Sequence, residues 1–276
     1  MKPIRLFATA AVVAGTLCST AHAGPFILAG TDADDHGSFS SGANQDGWLF
    51  MQKAIENIAA APSLTNGNKV VVSLGSNANA KAGLAAKSAF DRSALVGLGW
   101  TFKFVEGAAA ISAYLAAPDA GIIMLDSGSN VSGGLSVAEQ AALTGSAAAL
   151  NSFVGGGGGL FSQANRYGWL SALLPSLTVN VASSTGITLT PAGNAAFPGL
   201  KNSDLSAGPY HANFTNVGLI PVLGLGVGAN SSLNLIIGAS GGSIIVPGVP
   251  EPATYAMLAA GLGIVGVVVR RRKQQS

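Results

Sequence analysis

Apolar and polar positions along the chain alternate in blocks that predict strands and helices in turn. Phe26 to Gly30 is a short apolar run that ends in a polar loop, the length of a buried strand. From Asp46 the period becomes helical, with Trp48, Met51, Ile55 and Ile58 on one face and Pro62 as the stop. Lys69–Leu74 is β-branched and predicts a second strand, followed by a helix from about Asn79 to Leu98. Thr101–Val105 predicts a third strand, Gly107–Ala116 a short helix, and Gly121–Leu125 a fourth strand ending at Asp126. Ser136 and Glu139 have the spacing of a capping box, in which each side chain satisfies the other's free backbone amide. Leu143, Ala147, Leu150 and Val154 continue that helix as an apolar stripe until the glycine run 155–159 ends it and leads into Leu160-Phe161.

Strand, helix and strand at this spacing predict an α/β fold with a parallel sheet and right-handed crossovers. After about Pro175 the pattern changes. Leu177–Val181, Gly186–Leu189, Gly218–Leu225 and Leu233–Val246 read as short strands with turns, a β-rich closing section. No internal repeat is visible.

The two ends differ from this body. Lys2 and Arg5 precede an apolar stretch from Leu6 to about Leu17, and Ala21-His22-Ala23 has the small-residue spacing of a secretory signal cleavage site. Residues 1–23 are therefore expected to be a signal peptide, cut between Ala23 and Gly24 after export through the Sec machinery by signal peptidase. Cys18 is the single cysteine and would leave with it, which excludes disulfides, thiol nucleophiles and cysteine metal sites from the mature chain. At the other end, Val249-Pro250-Glu251-Pro252 is followed by the uncharged run 253–269 and then Arg270-Arg271-Arg272-Lys273. Seventeen helical residues at about 1.5 Å each span roughly 25 Å, enough for a thin hydrocarbon core, and the cations mark the cytoplasmic side. One transmembrane helix at 253–269 is expected, with the body outside the inner membrane. Gly261-x-Gly263-x-x-Gly266 inside this run follows no strand and reads as small residues of a membrane helix rather than a dinucleotide loop.

Composition sharpens the division. Only 9% of the 276 residues are charged and 38 are glycine. The formal charge is +2, yet between Gly24 and Pro250 eight Lys and Arg stand against eleven Asp and Glu, a net charge of −3. The basicity belongs to the termini, and nothing in the body suggests a nucleic-acid surface.

The box, the apolar run and the arginine cluster, in that order, resemble the PEP-CTERM sorting signal. The resemblance implies recognition by an exosortase, processing near Pro250-Glu251-Pro252, and delivery to the cell surface or an exopolysaccharide matrix, with Val249, Pro250, Glu251, Pro252, Arg270, Arg271 and Arg272 as the sorting residues. Such a tail is also known as an ice-binding protein C-terminal type, but the body lacks regular Thr-rich repeats.

In the body, strand Gly121–Asp126, loop 127–135, the Ser136-x-x-Glu139 helix and the turn Gly156–Leu160 resemble a class I glutamine amidotransferase-like, flavodoxin-like domain. Leu189-Thr-Pro-Ala-Gly193 and Phe197-Pro-Gly-Leu200 are similar to later segments of such domains. The resemblance implies a nucleophilic cysteine on a G-x-C-x-G elbow. Gly159-Leu-Phe-Ser162-Gln163 stands in that place, so Ser162 is the candidate replacement, with His211 the histidine available downstream as its base. The resemblance thus implies a scaffold without the inherited reaction.

Two further groups carry candidate chemistry. Thr31-Asp32-Ala33-Asp34-Asp35-His36-Gly37 follows the first strand, and ligands of open α/β sheets bind beyond the carboxyl ends of strands. Asp32, Asp34, Asp35 and His36 could hold Ca²⁺ or another hard divalent cation. An EF-hand is excluded because its twelfth position would be Ala43, and a solvated acidic turn is the plainer reading. Asp126 ends the fourth strand at the same edge and, with His211, could complete a cleft. Gly238-Ala-Ser240-Gly-Gly242 matches a hydrolase elbow in letters, but a strand rather than a helix follows it. Domain organisation is expected as signal peptide 1–23, exported α/β domain 24–247 and sorting tail 248–276. The leading expectation for the body is a non-catalytic structural or binding module that engages exopolysaccharide and needs no cofactor. The alternative is an exported hydrolase or metal-binding enzyme working through loop 32–36 with Asp126 or His211.

Overall fold

The computed structural model describes residues 23–75, 77–128, 133–163, 167–206 and 209–239, with backbone alone at 182–185, 209 and 239. Residues 1–22 of the expected signal peptide 1–23, the turn at Ser240, the strand continuation 243–246, the sorting box, the membrane run and the arginine cluster lie outside these residues. Among the described residues no helix is long and apolar enough to cross a membrane.

The chain enters at β1 (Phe26–Ala29) and makes a hairpin, β2 (Gly37–Ser40) and β3 (Ala43–Asp46), before α1 (Gly47–Ala60). Then come β4 (Val70–Leu74), α2 (Lys81–Asp91), β5 (Thr101–Val105), α3 (Ala108–Leu115) and β6 (Ile122–Leu125). Next are α4 (Val137–Gly145), α5 (Ala147–Gly155), β7 (Gly159–Gln163) and α6 (Leu170–Leu173). The closing section holds β8 (Thr178–Thr185), β9 (Ile187–Leu189), α7 (Pro191–Ala196), β10 (Pro209–Thr215), β11 (Val222–Gly226) and β12 (Asn234–Ala239).

One sheet runs β5-β4-β6-β7-β1-β12-β10-β8, with β11 on β12 and β9 on β11. β5 through β1 pair in parallel, and the strands of the β-rich section pair antiparallel. The expected parallel α/β sheet with a β-rich closing section is thus the observed architecture. Its order departs from the flavodoxin-like one. Counted along the chain the parallel strands lie 3-2-4-5-1 rather than 2-1-3-4-5. The first strand occupies the place where a fifth would add.

Winding direction sorts the helices. The connections β1 to β4 and β4 to β5 move one way along the sheet, while β5 to β6 and β6 to β7 move the other way. With right-handed crossovers these two sets fall on opposite faces. The two cores follow that division. Phe50, Met51, Ile55 and Ile58 of α1 pack with Ala85, Ala86 and Phe90 of α2 in one. Ile111 of α3, Leu143 of α4 and Leu150 and Val154 of α5 lie in the other. The strands feed both cores alternately: Ile27 and Ala29 one, Phe26 and Leu28 the other. Burial on both faces is why these strands read as unbroken apolar runs.

Boundaries depart from expectation where polar side chains intervene. The helix expected over 79–98 is α2 plus a separate 3-10 turn, Val96–Leu98. Ser93 Oγ donates back to Phe90 O at 2.7 Å and ends α2 there. The single helix expected after Ser136 breaks at Ser146 (φ −103°, ψ 15°) into α4 and α5. Its capping box is present: Glu139 N–H donates to Ser136 Oγ (3.3 Å) and Ser136 N–H to Glu139 Oε2 (2.8 Å). Gly157, at φ 86°, closes α5 by donating to Val154 O, a left-handed position that favours glycine.

Candidate functional site

The acidic loop leaves the carboxyl end of β1 and turns twice on itself, with Asp35 N–H donating to Asp32 O and His36 N–H to Ala33 O. These turns bring the His36 imidazole back over Asp32, Nε2 to Oδ2 at 3.3 Å. The loop is not the solvated turn that its polarity suggests. Asp32 and Asp34 are 4% and 0% exposed. Its backbone is tied down by neighbours: Trp48 Nε1–H donates to Asp34 O (2.9 Å), Gly47 N–H to His36 O (2.9 Å), and Lys81 Nζ to Asp35 O. Gln163, the last residue of β7, accepts Ala33 N–H at 3.1 Å and the Thr31 hydroxyl at 3.4 Å on the same Oε1.

His211 is not a loop residue. It lies in β10, where Tyr210, Ala212, Asn213 and Phe214 are buried while the His211 side chain stays partly exposed. β10 reaches the end of β1 because Thr31 bridges Tyr210 and because His211 N–H donates to Gly30 O at 2.7 Å. A Cβ on Gly30 would stand 1.9 Å from Ala212 O, so only glycine permits this approach. The result is a contact across 179 residues of sequence: His211 Nε2 to Asp32 Oδ2, 2.9 Å. His36 and His211 are the two histidines beyond Gly24, and both converge on one carboxylate oxygen. Their side chains remain 30% and 35% exposed. The other oxygen, Asp32 Oδ1, is buried without a hydrogen-bond partner among the described residues.

Behind this face lies a second, fully buried layer. Ser127 Oγ–H donates to Asp34 at 2.8 and 3.0 Å. Asp126, at the end of β6, is completely buried. Burial foremost, then the charges of Asp34 and Asp35, push its pKa well above the usual carboxylate range. Asp126 is therefore joined to the acidic loop through Asp34 and Ser127, while His211 joins it at Asp32.

The geometry supports acid–base chemistry. A proton on His211 Nε2 would be accepted by Asp32 Oδ2, which would leave the Nδ1 lone pair as the base. Thr31, Asp32, Ala33, His36, Gly47, Ile187, Asp204 and Leu205 line a recess of about 20 Å³. Among the described residues no group of three or more His, Cys, Asp or Glu side chains is arranged to hold a metal ion. Ser162 lies inside β7, fully buried, and its hydroxyl has no hydrogen-bond partner among the described residues, while both imidazoles meet Asp32. Thr31, Ser127, Gln163 and Asp204 were not legible as site residues. Gln163 alone left a signal, a polar residue closing an apolar strand.

Residues 248–273 match the PEP-CTERM protein-sorting motif, the tail through which exported proteins are passed to an exosortase. No curated protein and no solved structure matches the chain. The amidotransferase-like resemblance of the body finds no counterpart there.

Proposed function

We propose that this exosortase-sorted protein carries a hydrolytic body, in which His211, oriented by Asp32, draws a proton from water while His36 serves as the second proton carrier. The observation behind this reading is the 2.9 Å contact between a buried carboxylate and a half-exposed imidazole at the carboxyl edge of the sheet. Asp34, Ser127 and Gln163 are positioning residues that hold the acidic loop. The route to the site of action is export, anchoring by the C-terminal run, cutting near Pro250-Glu251-Pro252 and release to the surface or matrix. Cleavage between Ala23 and Gly24 would leave as the new amino terminus the Gly24 nitrogen that donates to Val154 O at 2.7 Å.

The test uses chromogenic esters, glycosides and phosphoesters with the exported protein. Turnover is expected on one class, and His211→Ala and Asp32→Asn should each lower kcat by about 100-fold or more. Absence of turnover across the panel, or full activity in His211→Ala, would leave the other reading, a non-catalytic binding module. That reading is favoured by the size of the recess, which has room for about one water. Sorting is tested apart from chemistry: Glu251→Ala or replacement of Arg270–Arg272 should leave the protein in the membrane fraction, and normal release of both would sink exosortase processing.

A further inference from the structure

The winding of the sheet reverses between β4 and β6, since β4 leads outward to β5 and the chain then crosses back to β6. Such a reversal opens a crevice beyond the carboxyl ends of the strands. Here that crevice measures about 430 Å³, against about 20 Å³ beside Asp32. It lies within the range of small-molecule sites. Its walls are Gly75 and Asn77 after β4, Glu106 and Gly107 after β5, and Gly133, Gly134, Ser136 and Glu139 before and within α4. Gly75, Gly107 and Gly133 sit at φ 81°, 91° and 80°, so bare backbone forms much of the lining.

The charges decide what fits. Among the described residues no Lys or Arg lines the crevice, which disfavours a phosphate. Glu139 is already committed: Oε1 accepts Gly107 N–H (2.8 Å), and Oε2 accepts Ser136 N–H (2.8 Å) and the Ser136 hydroxyl (2.7 Å). Glu106 spends Oε1 on Ala78 N–H (2.9 Å). Two carboxylates against about half a positive charge from each of the amino ends of α3 and α4 leave a net negative charge of about one. An ammonium ligand would meet the Glu106 carboxylate alone, since both Glu139 oxygens are already engaged. What stays available is a carboxylate acceptor on Glu106 beside the amide donors of Asn77, whose Oδ1 serves Asn79 N–H. Acceptor and donor side by side match adjacent hydroxyls, each of which gives one hydrogen bond and takes another.

We infer that the crevice at the ends of β4 and β5 binds a neutral sugar, through Glu106 and Asn77, independently of the Asp32 site. With no aromatic ring among the described lining residues, affinity for a single sugar falls in the millimolar range. The experiment titrates the exported protein with glucose, galactose and mannose, with glucose 6-phosphate and putrescine as charged probes, and follows the glycine amides by NMR. Saturable shifts at Gly75, Gly107 and Gly133 are expected from at least one neutral sugar. Glu106→Gln, which keeps the acceptor for Ala78, and Asn77→Ala should each weaken binding by about fivefold or more. His211→Ala should leave it unchanged, so loss of hydrolysis and loss of sugar binding are read separately. The inference fails if no neutral sugar saturates, if shifts fall elsewhere, if both variants bind as tightly as wild type, or if a charged probe binds more tightly.

Discussion

The parallel and antiparallel halves of the sheet are built from sequences of different kinds, and the candidate site needs both. Strands β1, β4 and β6 are buried on two faces and consist of apolar runs. β10 mixes polar and apolar residues and shifts register between Tyr210 and Ala212, so that Tyr210 enters one core and Ala212 and Phe214 the other. The parallel half supplies a carboxylate held at a strand end, and the antiparallel half supplies the imidazole that meets it. Neither half contains the Asp32–His211 pair by itself, so the seam between β1 and β10 is where fold stability and site geometry become one property.

The strongest way to break that seam is Phe214→Ala. Phe214 is fully buried and meets Tyr167 edge-on, with ring centroids 5.6 Å apart. Tyr167 in turn donates its hydroxyl to Ala29 O at 2.6 Å. Removing the ring should cost about 3–5 kcal/mol in urea unfolding. If the antiparallel strands are an appendage rather than part of the core, the parallel half would keep its cooperative transition almost unmoved.

A narrower cut is Gly30→Ala. Its Cβ would collide with Ala212 O, and the strain should cost about 1–3 kcal/mol. The sharper readout is His211. If the Asp32 contact depends on this close approach, NMR titration of the His211 ring should change in Gly30→Ala while that of His36, on the same loop as Asp32, changes less. Equal changes at both rings would mean that the loop, not the seam, sets the geometry.

The same contrast explains what could be read from residues alone. Continuous apolar runs and the Ser136–Glu139 spacing located β1, β4, β5, β6 and α4, because those elements answer to burial and local capping. β10 was missed because a register shift between Tyr210 and Ala212 breaks its alternation and because pairing with β8 over positions 178–185 is a long-range property. The hairpin β2–β3 escaped for a related reason. Its residues are mostly polar, and its register rests on a turn with Ser41 and Gly42 in left-handed conformations. The acidic loop was correctly placed at a strand end. Its burial was not legible, since only the folded chain brings Gln163, Trp48 and Ser127 around it.

Asp126 sharpens the comparison through pH. Its folded-state pKa is raised, so between the ordinary carboxylate range and that higher value the folded state binds a proton that the unfolded state has lost. Stability from this group is therefore fully present at low pH and falls as pH rises through the window. Asp126→Asn removes the titration while keeping the shape. The variant should gain on wild type in urea midpoint as pH rises above the carboxylate range, and the gain should vanish below it. A pH-independent difference would mean that Asp126 is ionised in the fold and held by partners that burial does not outweigh.

The smallest expected effect tests whether the halves can be perturbed separately. Ser136→Ala removes the side-chain acceptor for Glu139 N–H at the start of α4, at a cost of about 1 kcal/mol. Glu139 keeps its bond from Gly107 N–H, which fastens α4 to the loop before α3. Both lie on the face opposite α1 and α2 and away from β10. The variant should thus lower the urea midpoint slightly while leaving the His36 and His211 titrations as they are. Movement of those titrations would show that strain in the crevice at β4 and β5 travels through β6 and Asp126 to Asp34, and that the two carboxyl-edge sites are coupled rather than merely neighbours.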